Sequence, residues 1–384
     1  MNMTAGDSGT LSGEIIVGSG LTMTIGTAAT TSQGTVDALK VYDMFQPPSG
    51  TTNQRPPAKP GALFYNFDVK TIEFFDGTQW RQVDSTTRSG RGVFGGGYGS
   101  PVQSFATTMD FVNISTIGDA ISFGDLNNGG ASKGSMGSNG WRGLFMGGYW
   151  PAAPSTTRQI DYITIQSQSN GIEFGDLTTT ATWGAKGTSS STRGIRMGGY
   201  PNTDVIDYVE IDTLGNALDF GNLTITRHSI GVLASPTKIF GGGGNASSTE
   251  YSVIDMITTS SKGNAIDDGD LRNKLTAAGA ASNSVRGIWA GGSPIKLNNI
   301  QYRTLSSAGN VEHFGDLSVG IRDISGASTQ TRAIFGGGIT PSKLNIIEFV
   351  TIASAGNAQD FGDLTDSKNA TGALSDSHGG LGGY

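Results

Sequence analysis

The feature that most restricts this chain is a phrase it repeats. Phe-Gly-Asp-Leu stands at 123–126, 174–177, 314–317 and 361–364, with the variants Phe220-Gly221-Asn222-Leu223 and Asp268-Gly269-Asp270-Leu271. The aspartate column falls at 125, 176, 222, 270, 316 and 363, at intervals of 46 to 51 residues. A period of that length marks a supersecondary unit that cannot bury its faces alone and stacks on copies of itself.

Each unit carries three more columns in fixed order. One is a strand ending in Gly-Gly: RGVFGGGY (91–98), RGLFMGGY (142–149), RGIRMGGY (193–200), KIFGGGG (238–244), RGIWAGG (286–292) and RAIFGGG (332–338). Another is an acidic-aromatic strand: MDFV (109–112), IDYI (160–163), IDYV (206–209), IDMI (254–257), IEFV (347–350) and a departing copy, IQYR (300–303). The third is a small-residue stretch after each Phe-Gly-Asp-Leu, such as TAAGAAS (276–282). Helical periodicity is absent, and Gly, Asn and Ser turn signals separate the segments. The expected fold is all-β, a β-propeller of four-stranded blades. Packing such sheets in a ring buries both faces of each without long open edges.

Six sets are complete except at one point. Only VDSTTRSG (83–90) precedes Arg91, so the first set lacks its small-residue strand, while NATGALSDS (369–377) has no partner strand after it. Placing that last segment in the first blade closes a ring of six. The remaining HGGLGGY (378–384) imitates another Gly-Gly strand, so seven blades, completed from the N-terminal segment, stand as the alternative.

The order of arginine, small inner strand, Gly-Gly strand, acidic-aromatic strand and terminal strand resembles the kelch-type repeat. Residues 227–243, RHSIGVLASPTKIFGGG, are the best copy, and the resemblance covers about 91–384. It departs in the last strand, where kelch repeats carry tryptophan and this chain has Phe-Gly-Asp-Leu. The family's binding residues therefore do not transfer.

Composition agrees with that fold. The 60 glycines suit tight turns and close strand approach, not long helices. A net charge of −7 without a lysine or arginine block argues against nucleic acid as a partner. The absence of cysteine removes disulfides, thiolate chemistry and Cys-ligated zinc. The first twenty residues lack a secretory-signal pattern, and no apolar run is long enough to span a membrane.

Residues 1–60 read as an extended arm ending in a Pro-rich spacer (47–60), residues 61–90 as a small β-hairpin module, and 91–384 as the propeller. The module resembles one seen in tailed-bacteriophage fibre and appendage proteins, matching at Arg55, Pro56, Gly61, Tyr65, Asn66, Glu73, Phe74, Phe75, Asp76, Gly77 and Trp80. That resemblance implies a structural virion protein, a tail fibre, appendage or decoration, assembled in the host cytoplasm as a homo-oligomer or in many copies. Residues 1–90 would meet other virion proteins, and the propeller would face a host-surface glycan or protein.

The repeated residues offer little chemistry. Calcium needs converging oxygens, whereas the aspartates recur one per blade, so they are expected to cap turns while the phenylalanines pack between blades. Arginines 91, 142, 193, 286 and 332 could ring a channel and bind anionic sugars. The simpler expectation is that they bond loop carbonyls or a neighbouring carboxylate. His228, His313 and His378 share no metal spacing, and neither a GxSxG elbow nor a phosphate-cradling glycine motif is present. No catalytic, cofactor or metal residue is therefore assigned. Binding is expected in the unrepeated loops after Gly-Gly, with Tyr98, Tyr149, Trp150 and Tyr200 as stacking candidates. A non-enzymatic virion protein is the preferred reading. The alternatives are a carbohydrate-active enzyme on a propeller and a secreted bacterial adhesion or scaffold protein.

Overall fold

The computed structural model describes residues 47–57, 59–67, 71–75, 77–78, 80–83, 90–99, 105–127, 135–149, 156–180 and 183–382. The chain divides into two compact units, Met1–Ser85 and Thr86–Tyr384.

In the first unit, Leu63–Asn66, Thr71–Phe75 and Trp80–Val83 form the antiparallel meander expected from their alternating apolar pattern. The arm over residues 1–46, Asp76 and residues 84–89 lie outside the described residues. The spacer does not simply extend. Ser49–Gly50 pairs in parallel with Tyr65 and Asn66, and Thr52–Gln54 form a 3-10 turn. The physical reason is a polar network that draws the spacer onto the sheet. Arg55 donates two parallel bonds to Glu73, from Nε at 2.7 Å and Nη2 at 2.5 Å, and Asn66 Nδ2 donates to the same carboxylate at 3.1 Å. Glu73 is 1% exposed. Burial pushes its carboxyl pKa up, but the bonds from Arg55 and Asn66 and the guanidinium charge outweigh burial and hold it below the ordinary value. Three residues that carry the module's sequence pattern thus act as one joint.

The second unit is built of antiparallel sets of four strands, each called a sheet below; sets two and three are joined into one eight-stranded sheet by a parallel bridge between Ser135 and Gly187, and three two-stranded ladders stand beside the sets. Sheet three sets the pattern with Lys186–Ser189, Arg193–Met197, Val205–Glu210 and Leu218–Asn222. Sheets two, four, five and six run from Ser135–Ser138 to Ile172–Asp176, Gly231–Ala234 to Ile266–Asp270, Gly279–Ser282 to Glu312–Asp316 and Ser325–Ser328 to Gln359–Asp363. Sheet one combines Arg91–Gly95, Thr108–Asn113 and Ile121–Asp125 with Gly372–Ser375 from the other end of the chain. The register there runs from Gly372 opposite Gly95 to Ser375 opposite Gly92, the closure that the repeat pattern requires. The described part of 378–384 forms a 3-10 turn over Gly379–Leu381, not another Gly-Gly strand.

The first strands of successive sheets neighbour one another in cyclic order, the one from the chain's end lying between those of sheets six and two. Buried apolar clusters bridge each successive pair. Val93, Phe123, Phe145 and Ile163 join sheets one and two, and Phe94, Ile334, Phe349 and Phe361 join sheets six and one. The core is therefore distributed among the joints between sheets.

Phe-Gly-Asp-Leu is one of those joints. Its phenylalanine is buried, as expected, at Phe123, Phe174, Phe220, Phe314 and Phe361. Its glycine meets the next sheet: a Cβ on Gly175, at φ +155°, would stand 2.3 Å from Gly215 O. The aspartate differs from the expected turn cap. Its backbone N–H is the capped group, receiving a side-chain oxygen from the following sheet: Asn170 on Asp125, Asn216 on Asp176, Asn310 on Asp270 and Asn357 on Asp316. The carboxylates of Asp125 and Asp270 accept instead from Thr107 and Ser252, just before the third strand of their own sheets.

The arginine column also serves the joints. Arg91, Arg142, Arg193, Arg286 and Arg332 each lie 4.4 to 5.0 Å over the aromatic ring of their own third strand. Each donates Nη1 to a carbonyl of the next sheet, at Ile165, Ile211, Thr259, Ile352 and Ile114 respectively. A guanidinium sandwiched in this way ties two sheets together and is not available as an anion-binding ring.

Candidate ligand-binding mouth

The cyclic order of the first strands leaves an axis between them, and the two ends of that axis differ. At one end, the residue two before each described first strand turns through the left-handed region. Gly184, Ser229, Ala277, Asp323 and Ala370 have φ of 63, 55, 56, 56 and 54°. For the non-glycine members this conformation costs on the order of 1–2 kcal/mol each. Backbone bonds around the axis hold it: Ser229 N–H donates to Gly184 O (2.6 Å), Ala277 to Ser229 (2.9 Å), Asp323 to Ala277 (2.9 Å) and Ala370 to Asp323 (3.0 Å). The matching position of sheet two, residue 133, lies outside the described residues.

Above this belt opens a cavity of about 730 Å³. Its walls are aromatic on the side of sheets one to three. The positive-φ Gly-Gly pairs deliver the next residue to the cavity, and only in these sheets is that residue tyrosine: Tyr98, Tyr149 and Tyr200. In sheets four to six the residue at that position is Asn245, Ser293 and Ile339, and none of these three lines the cavity. Gly198 shows why glycine is needed, because a Cβ at its φ of +62° would stand 2.3 Å from Arg227 O.

The aromatics form two groups. Phe105 lies between Tyr98 and Tyr149, with ring centroids 5.1 and 5.5 Å away, and Trp183 meets Tyr200 edge-on at 5.2 Å. His228 packs behind the second group, 5.5 Å from Trp183 and 5.6 Å from Tyr200, and its burial lowers its pKa. Tyr200 and Trp183 are 49% and 37% exposed, so both rings have free area. Three of the four expected stacking residues therefore line one cavity. The fourth, Trp150, lies outside the described residues. Phe105 and Trp183 were not anticipated, although their only signal, an aromatic in a loop that does not repeat, was readable.

Among the described residues, Lys186 and Asp323 are the charged ones that line the cavity. Lys186, the first residue of sheet three, lines both the cavity and the narrow channel of about 60 Å³ beneath it. Burial pulls its pKa below the usual lysine value, and the charge of Asp323 opposes that shift. Asp323 itself, on the belt, pairs with Arg322 at 3.4 Å.

The other end of the axis is plugged. Ser138, Ser375, Ser328 and Ser282 each donate Oγ to the carbonyl of the preceding sheet, at Ser375, Ser328, Ser282 and Ala234, and Ser189 donates to Ser138. Where Ala234 interrupts this hydroxyl ring, the segment after the last strand folds in, with Gly379, Gly380 and Leu381 buried. His378 contacts Ser189 Oγ and Ser138 O, each at 3.1 Å. Its Nδ1 accepts from Gly380 N–H, so in the neutral ring the proton sits on Nε2. Ser189 Oγ already donates to Ser138 O and accepts from Ser138 N–H. This serine–histidine pair is a structural clasp, since the histidine has no lone pair to offer the hydroxyl. His313 Nδ1 bonds Asn299 at 2.8 Å, and among the described residues no cluster of three or more His, Asp or Glu could hold a metal.

No protein-family model and no curated protein matches this sequence.

Proposed function

We propose that the second unit is a six-bladed kelch-like β-propeller acting as a non-enzymatic binding head. In this reading its ligand is a saccharide on a host surface, and the whole chain is a structural protein of a tailed-bacteriophage particle anchored through its first ninety residues. The observation that carries the binding role is the mouth itself. Two aromatic groups stand over a cavity in the size range of small-molecule sites, with Thr180, Lys186, Ser229, Asp323 and Asn369 as polar residues in its lining. Rings with exposed faces on a rigid belt favour flat, partly apolar surfaces such as pyranose faces. The cyclic joints support the propeller reading, and the virion role rests on the sequence resemblance of the module alone.

Two measurements test this. Antibodies to the chain should decorate intact phage particles under electron microscopy, and failure to label any particle removes the virion role. A saccharide panel should show binding that Trp183→Ala weakens, whereas cleavage of any member by the purified chain would favour the enzyme alternative.

A further inference from the structure

Among the described residues, the mouth combines its aromatic walls with one cation at the bottom. Lys186 is half-buried where the cavity narrows into the channel, and it borders both. The acid whose charge acts on it is Asp323, and that carboxylate is engaged by Arg322. A second ammonium, on Lys343, lies 3.6 Å from the ring centroid of Tyr98 and donates to Gly99 O; Tyr98 lines the cavity, whereas Lys343 is outside its lining. The chain as a whole carries a net charge of −7, so the Lys186 ammonium at an aromatic opening runs against its average. A desolvated ammonium gains most from a partner that arrives with a compensating charge and excludes water as it binds.

Resting on the reading of the mouth as a saccharide site, we propose that its ligand is an acidic saccharide, held with a carboxylate at the Lys186 ammonium and sugar rings against Tyr149, Trp183 and Tyr200. The narrow channel below admits no sugar, so the acidic group is the deepest part of the ligand. Lys186 then acts as the specificity-determining residue and the aromatic walls supply the bulk of the contact. Neutral sugars of the same shape fill the walls but leave the ammonium unpaired and buried, which is the source of discrimination.

The test uses the full chain and a panel of uronate- and sialate-bearing oligosaccharides, each paired with its carboxyl-reduced form. The expected result is at least tenfold tighter binding of an acidic member than of its reduced partner. Lys186→Met should abolish that preference, and Lys186→Arg should retain it. Thermal melts of both variants separate a folding defect from a binding one, and the arginine variant keeps the test valid if methionine unfolds the chain. Equal binding of acidic and reduced forms, or a preference that survives Lys186→Met, overturns the proposal while the saccharide reading stands. Binding of no panel member overturns both.

Discussion

Arg303 and Asp268 form a buried ion pair, Nη2 to Oδ2 at 2.7 Å, between two positions that each break the repeat. Asp268 stands where the other copies have phenylalanine, and Arg303 where they have valine or isoleucine. Arg303 also donates to Asp268 O at 3.1 Å and lies 5.3 Å from the ring centroid of Phe240. Sheet four is the one whose second strand begins with Lys238 in place of the repeat arginine. The two anomalies are thus one substitution, in which a charge pair replaces an apolar contact at the joint of sheets four and five. Each side chain removed alone leaves the other charge buried. Asp268→Phe or Arg303→Val should cost about 3–5 kcal/mol, whereas the double variant, which restores the repeat consensus, should recover most of that loss. Denaturant unfolding of the four proteins measures it, and additive losses would dismiss the coupling.

The pairing of Gly372–Ser375 with Arg91–Gly95 makes a topological prediction. Truncation after Thr371 removes the innermost strand of sheet one and exposes the edge of Arg91–Gly95. That protein should lose its cooperative thermal transition. A shorter lesion tests the plug. A Cβ at Gly380 would stand 1.9 Å from Ser189 O, so Gly380→Ala should destabilise by about 1–3 kcal/mol without changing the mouth.

The Arg55–Glu73 joint predicts an acid limit for the first unit. The folded pKa of Glu73 lies below its unfolded value, so the unfolded chain binds the proton more readily. The stabilisation is complete above the ordinary carboxylate pKa and is lost as pH falls through the lowered, folded value. Trp80 fluorescence of the full chain, followed through acid titration, should show this transition, and Glu73→Gln should remove it.

His228 predicts a second and separate pH effect. Burial lowers its pKa in the folded state, so below the ordinary histidine value the unfolded chain takes up a proton that the folded one resists. Stability should fall as pH drops through that window, and His228→Gln should flatten the dependence. An NMR titration placing His228 at or above its unfolded value would contradict the burial argument.

At the mouth, Trp183→Ala should weaken saccharide binding about tenfold or more with little change in melting temperature, because the ring is 37% exposed and borders the cavity. A matching loss at the remote Trp141 would show that the effect is not local.

Much of the fold was legible because its chemistry repeats. A column of phenylalanines at fixed intervals reports one burial site per sheet, and an unpartnered small-residue strand at the end reports where it must return. The roles of the arginines were legible too, since five copies of one side chain in one position call for a shared structural partner. The aspartate of Phe-Gly-Asp-Leu was read less well, because side-chain capping by an asparagine from the next sheet is invisible within a single repeat. Trp183 and Phe105 carried no period to mark them.

The sequence alone therefore determined the strands, their order and the points where sheets join, since those depend on local alternation and on a pattern copied along the chain. Only the tertiary structure decided which unrepeated residues meet. Asp268 and Arg303 are 35 residues apart, and Trp183 meets Tyr200 through an isolated antiparallel bridge. Such encounters depend on how successive sheets are set around one axis, a geometry that no short window of sequence encodes.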